Sequence, residues 1–224
     1  MTQVSFMKDV MNKTYPTLHV VDHPLVQHKL THIRDKNCDK YSFRAYAREI
    51  TQLLTYEASR ELPVFQKEVE TPIETARFPA LKDEVPVIVP ILRAGLGMSD
   101  GVEMLIPSAP VGHIGLYRDE ETKRPVEYLV KLPPLEGRFV FVVDHMLATG
   151  HSSVKAVDVL VENGAKPEDI RLMVLVAAPE GVEVFSTAYP QIPIITAALD
   201  DGLNDNAYIV PGLGDAGDRL FGTK

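Results

Sequence analysis

The chain has 224 residues, a formal net charge of −8 and a composition that is 45% hydrophobic and 24% charged. The acidic balance argues against non-specific binding to nucleic acid or to an anionic membrane, while the apolar content suits one α/β domain with a sizeable core. A single cysteine, Cys38, excludes an intrachain disulfide; no apolar run approaches the ~20 residues of a membrane span and the first residues lack a signal-peptide core, so a cytoplasmic protein is expected.

Residues 1–22 show no clear period and are expected to form a loosely held extension. Pro24 suits the first turn of a helix running to about Asp35. His28 and His32 share a face of it, but no HExxH glutamate and no third ligand accompany them, so they read as surface histidines rather than metal ligands. Ser42 is the expected N-cap of a second helix, about 42–61, with Phe43, Tyr46, Ile50, Leu53 and Leu54 on or near one face. Residues 64–84 alternate weakly and predict one or two short strands or arms.

The run VPVIVPIL, Val85–Leu92, is a buried-strand pattern, which Pro86 and Pro90 predict to be short or bounded by an edge. RAGLGMSDG follows. Gly95, Gly97 and Gly101 let backbone N–H groups approach an oxyanion, with Arg93 beside them. The plain alternative is a strand–helix turn that carries one arginine. GHIGLYR, Gly112–Arg118, reads as a strand ending in a cation, and the charged stretch after it predicts a flexible hairpin arm over the carboxyl edge of the sheet.

Phe139–Val143 is an unbroken apolar run, as expected of a strand buried on both faces of a parallel sheet. Asp144 ends the run, Met146–Gly150 make a short loop, and Ser152 opens a helix of about 152–163 that Gly164 closes. Ligands of open α/β sheets bind beyond the carboxyl ends of strands, so Asp144 stands where chemistry is expected. Thr149, Gly150 and Ser152 offer hydroxyls and free N–H groups at a helix start, a phosphate cradle; the plain alternative is an ordinary N-cap. Ile170–Ala177 and Ile192–Ala198 are further buried strands, separated by a helix with Pro179 early in it. This alternation argues for βαβ units and a parallel sheet. Tyr208–Lys224 breaks the rhythm: Pro211, Gly212, Gly214 and Gly217 predict no regular element in a stretch that carries Asp215 and Asp218.

VVDHMLATGHSS resembles the phosphoribosyl-diphosphate (PRPP) loop of the type I phosphoribosyltransferases, and its single acid before MLATG is similar to the form found in the uracil phosphoribosyltransferase family. HPLVQHKL, PILRAGLG, LYRDEET and YIVPGLGDAGDRLFGTK resemble the same family, so the likeness runs from about residue 24 to Lys224. It implies a type I phosphoribosyltransferase fold: a central, mostly parallel twisted sheet flanked by helices, with a flexible hairpin arm and a C-terminal base-binding hood. The expected organisation is an extension (1–22) and one domain (23–224), the hood including 200–224.

The implied reaction joins uracil to PRPP, giving UMP and pyrophosphate through an oxocarbenium-like transition state. By the same resemblance Asp144, Arg118 and Asp215 are the catalytic candidates. PRPP is expected on Arg93, Arg118, Asp144, His145, Met146, Leu147, Ala148, Thr149, Gly150, His151, Ser152 and Asp215. Uracil is expected on Ile209, Gly214, Asp215 and Ala216. Mg²⁺ is expected to enter mainly bound to PRPP, a homodimer is expected, and GTP activates some relatives. Two positions depart from the family's commonest loop: His145 stands where proline is usual and His151 where glycine is usual. Losing proline removes a fixed φ and predicts a more mobile loop. His151 is either a tolerated substitution or, as imidazolium, a further charge on the 5′-phosphate. Two other readings of the fold are a pyrimidine-nucleotide-sensing regulator that also binds RNA and a non-catalytic PRPP-binding protein. The first needs a basic face, which this acidic chain lacks.

Overall fold

The computed structural model describes residues 15–82, 85–118 and 125–223, with Arg118 described by its backbone alone. Residues 1–14 of the expected extension and the charged residues 119–124 of the expected arm lie outside the described residues. The first described elements are a short strand, β1 (Leu18–Val20), and two helices, α1 (Pro24–Arg34) and α2 (Lys40–Ala58). An antiparallel hairpin follows, β2 (Val64–Glu70) with β3 (Thr75–Leu81). Strands and helices then alternate: β4 (Val87–Leu92), α3 (Leu96–Leu105), β5 (His113–Arg118), β6 (Pro125–Lys131), β7 (Val140–Leu147), α4 (His151–Glu162), β8 (Ile170–Ala177), α5 (Pro179–Ala188) and β9 (Ile194–Leu199). The tail forms β10 (Gly202–Leu203), β11 (Ile209–Val210) and α6 (Ala216–Phe221).

Seven strands make one sheet in the order β1-β9-β8-β7-β4-β5-β6. Every neighbouring pair is parallel except β5 with β6, which turns the expected arm into the antiparallel edge of the sheet. Alternating side chains feed two cores. Ile88, Phe141 and Val143 meet α1, α2 and α3 on one face; Val87, Val140 and Val142 meet α4 and α5 on the other. Phe43, Ile50 and Leu54 of α2 and Phe141 of β7 are completely buried.

Several expectations are corrected. Leu18–Val20, expected within the loose extension, pairs in parallel with β9 and buries Leu18. The second helix is capped by Asp39, whose carboxylate accepts from Tyr41 N at 2.8 Å and Ser42 N at 3.0 Å, so Ser42 lies inside it. β4 is an interior strand, not one bounded by an edge. It pairs with β7 as far as Pro90, while on its other side a lone bridge, Ile88 to Val111, precedes the ladder that begins at Ile91. Pro90 sits in that gap, where no N–H is required. The tail holds regular structure after all: Asp215 caps α6 and Gly222, at φ +68°, closes it, so Gly217 falls inside a short helix of 6 residues.

Candidate active site

The functional residues follow from where the parallel ladder ends. β7 does not stop at Asp144. Its backbone pairing with β8 continues through Met146 to Leu147, so the acid lies inside the strand. Asp144 is half-buried, and the amide of His145 donates to its Oδ1 at 2.7 Å. Burial pushes its carboxyl up to about 7, against the opposing pull of the His145 and Met146 N–H groups. His145 and Leu147 turn inward and are almost wholly buried, whereas Met146, Ala148 and Thr149 are half-buried.

Only 148–150 remain as loop. Gly150 then takes a left-handed φ of +79°, and α4 starts at His151 rather than at Ser152. Gly150 brings no side-chain cap, so the first N–H groups of α4 stay available at the positive end of its dipole. His151 and Ser152 are exposed at that helix start. This helix start is therefore open, and it follows the carboxyl end of the strand that carries Asp144.

Arg93 is exposed in the turn between β4 and α3. This turn lies close against β7: a Cβ on Gly95 would sit 2.4 Å from the Val143 carbonyl oxygen. A Cβ on Gly97 would sit 2.9 Å from Leu220 Cδ2 of α6 and 3.1 Å from His145 Cε1. Strand end, arginine turn and tail thus converge on Gly97. His145 fills the centre of this junction. Neither of its ring nitrogens makes a hydrogen bond, the backbone of Ala94 is the polar group that favours its proton, and burial pushes its pKa down to about 3. The imidazole is neutral, and His145 serves as packing between the arginine turn and the tail helix.

In the tail, Ile209 and Ala216 are buried, and Gly214 and Asp215 are exposed. Asp215 Oδ1 accepts from Asp218 N at 2.9 Å, so this carboxylate already caps α6. Arg118 ends β5, and its side chain lies outside the described residues. Two residues, Arg34 and Asp200, escaped the sequence reading. Arg34 forks onto Asp200, Nη1 to Oδ2 at 2.8 Å and Nη2 to Oδ1 at 2.6 Å, and Asp200 also accepts from Gly212 N at 3.0 Å. No periodic signal joins them, since Arg34 and Asp200 are 166 positions apart.

Two cavities lie near charged groups. The larger, about 530 Å³, is lined by Arg171, Pro193 and Ile195 beside the amino ends of β8 and β9, away from the strand ends that carry Asp144. The second, about 440 Å³, adjoins the arginine turn, with Leu96, Gly97 and Asp100 facing Arg44, Arg48 and Phe221.

The chain superposes on adenine phosphoribosyltransferase from Leishmania donovani with a TM-score of 0.53 at 14% identity, over 85% of this chain and 86% of that one. With the sheet order and the loop after β7, this places the fold in the type I phosphoribosyltransferase class. A family model described as uracil phosphoribosyltransferase matches residues 20–223. Proteins bearing that name from Rhodospirillum centenum and Ralstonia pickettii are 57% and 54% identical over 210 residues, covering 94% of this chain and 97% of each relative. The chain belongs to the uracil phosphoribosyltransferase family. The AQ2163 protein from Aquifex aeolicus, a solved structure, is 36% identical with a TM-score of 0.87, over 92% of this chain and 99% of that one.

Proposed function

We propose that the chain transfers the phosphoribosyl group of PRPP to N1 of uracil, giving UMP and pyrophosphate. The observation that carries this reading is the meeting of three segments at Gly97: the strand with Asp144, the turn with Arg93 and the tail helix α6. Each segment matches one part of the reaction. The ribose gains positive charge as its bond to pyrophosphate breaks, and Asp144 holds the ribose hydroxyls and supplies the compensating negative charge. The start of α4, with Thr149, His151 and Ser152, takes the 5′-phosphate on free N–H groups and hydroxyls. Met146, Leu147 and Ala148 supply the backbone that leads into that cradle. Arg93 and Arg118 clamp the departing pyrophosphate, since a guanidinium fork matches phosphate oxygens.

Uracil selection falls to backbone groups at Ile209, Gly214 and Ala216. Uracil presents an acceptor at O4 and a donor at N3. Cytosine reverses the first and lacks the second, leaving buried groups unpaired at about 1–3 kcal/mol each. Among the described residues, no three His, Cys, Asp or Glu side chains converge as a metal cage. A Mg²⁺ brought in by the diphosphate would have Asp144 and Asp215 as the carboxylates able to hold its waters. Bound there, Mg²⁺ supplies charge neutralisation to the pyrophosphate.

The same reading extends to a cytoplasmic homodimer, with GTP as the effector to test. No helix among the described residues is long and apolar enough to cross a membrane. The experiment is direct: protein, Mg²⁺, PRPP and labelled uracil, with and without GTP, alongside cytosine, orotate, hypoxanthine and adenine. UMP formed from uracil alone is the expected result. Binding of PRPP with no nucleotide product would leave a PRPP-binding protein instead, and pyrimidine-nucleotide binding without turnover would favour the regulator.

A further inference from the structure

We propose that Arg34 and Asp200 form a clamp that positions the base-recognising turn of the tail, making Arg34 a positioning residue for uracil. The inference rests on the reading of the tail as the uracil site. Arg34 is the last residue of α1, and Asp200 follows the carboxyl end of β9. Besides its two bonds to Asp200, Arg34 Nη1 donates to the Gly212 carbonyl oxygen at 2.6 Å. The Gly212 amide in turn donates to Asp200 Oδ2 at 3.0 Å. Arginine, carboxylate and one residue of the tail, through both its N–H and its C=O, thus close a ring of hydrogen bonds. The Asp200 side chain is 5% exposed and that of Arg34 24%, so water competes little with the pair.

Gly212 makes the ring relevant to uracil. It takes a left-handed φ of +63°, and a Cβ there would sit 2.1 Å from the carbonyl oxygen of Ile209, one of the proposed base-facing groups. Whatever fixes Gly212 therefore fixes the Ile209 carbonyl. Arg219 holds the far side of the same turn, donating to the Leu213 carbonyl at 2.7 Å and to the Asp35 carbonyl at 2.6 Å. The base is recognised by backbone groups, which no side-chain rotamer can adjust, so their placement must be imposed from outside the tail. A planar fork does this and a point charge does not.

The test is steady-state kinetics of Arg34→Lys, Asp200→Asn and Arg34→Ala with each substrate varied in turn. The uracil KM is expected to rise about tenfold or more in Arg34→Lys, because a lysine cannot reproduce the bidentate geometry. The PRPP KM is expected to stay within about twofold, since the clamp touches neither phosphate loop. Free guanidinium is expected to lower the uracil KM of Arg34→Ala again. Equal rises in both KM values, or a uracil KM within about twofold of wild type in Arg34→Lys, would overturn the clamp. Where Arg34→Ala does not fold, Arg34→Lys carries the measurement. Gly214→Val separates the two ideas: if it leaves the uracil KM unchanged, the tail is not the base site; if it raises that KM while Arg34→Lys does not, the clamp alone is wrong.

Discussion

A carboxylate answers a developing oxocarbenium ion only while it is ionised, and burial within β7 places the Asp144 carboxyl at about 7. Below that value the free enzyme carries a neutral acid there; above it the charge is present. kcat/KM for PRPP is therefore expected to rise with pH through about 7. In Asp144→Asn the rising limb disappears and kcat falls on the order of 10²–10³-fold. A limb that survives in the variant would assign the titration to the phosphates of PRPP. The neighbouring residue adds something proline cannot, since the His145 amide donates to Asp144 at 2.7 Å and proline has no N–H. The histidine itself is visible in the sequence. The burial of the imidazole is not, because it depends on Gly97 and Leu220 arriving from distant parts of the chain.

At the scale of the element, the start of α4 sets helix stability against ligand binding. Its glycine N-cap forgoes the bond that a serine or aspartate would make. An added carboxylate in the first turn favours the helix by about 0.3–1 kcal/mol. Ser152→Asp is thus expected to leave Tm unchanged or slightly higher while raising the PRPP KM about tenfold or more, through repulsion of the 5′-phosphate. Scanning fluorimetry and initial-rate kinetics check the two halves separately; an unaltered PRPP KM would remove the phosphate from this helix start. The strand before it shows why boundaries were harder to read than elements. The apolar run ends at Val143, but the ladder continues to Leu147 paired with Ala177. Side-chain polarity marks where burial changes, not where backbone hydrogen bonding stops. Pro90 misled in the same way: it forbids a donor on one side of β4, and the neighbouring ladder is interrupted at that point.

For the molecule as a whole, the β2–β3 hairpin bears on assembly. Among the described residues its strands pair only with each other in the ladder, and Phe65, Val69, Ile73 and Phe78 stay exposed. A lone two-stranded ribbon is marginal in water, so a covering partner is expected, and a second copy of the chain fits the proposed homodimer. Sedimentation is expected to give twice the chain mass of 24.8 kDa, and Phe65→Glu with Phe78→Glu to return the monomer. A wild-type monomer at micromolar concentration would contradict this.

The sequence by itself determined the alternation of strands and helices, the place of Asp144 directly after the apolar run of a buried strand, a helix start shortly beyond it and the family resemblance. These are local: side-chain period, turn chemistry and short motifs are all written in contiguous residues. Only the tertiary structure decided that strand end, arginine turn and tail meet at Gly97, and that Arg34 holds Asp200 and Gly212 from 166 and 178 positions away. Such pairings depend on how whole layers stack, and no stretch of neighbouring residues carries that information.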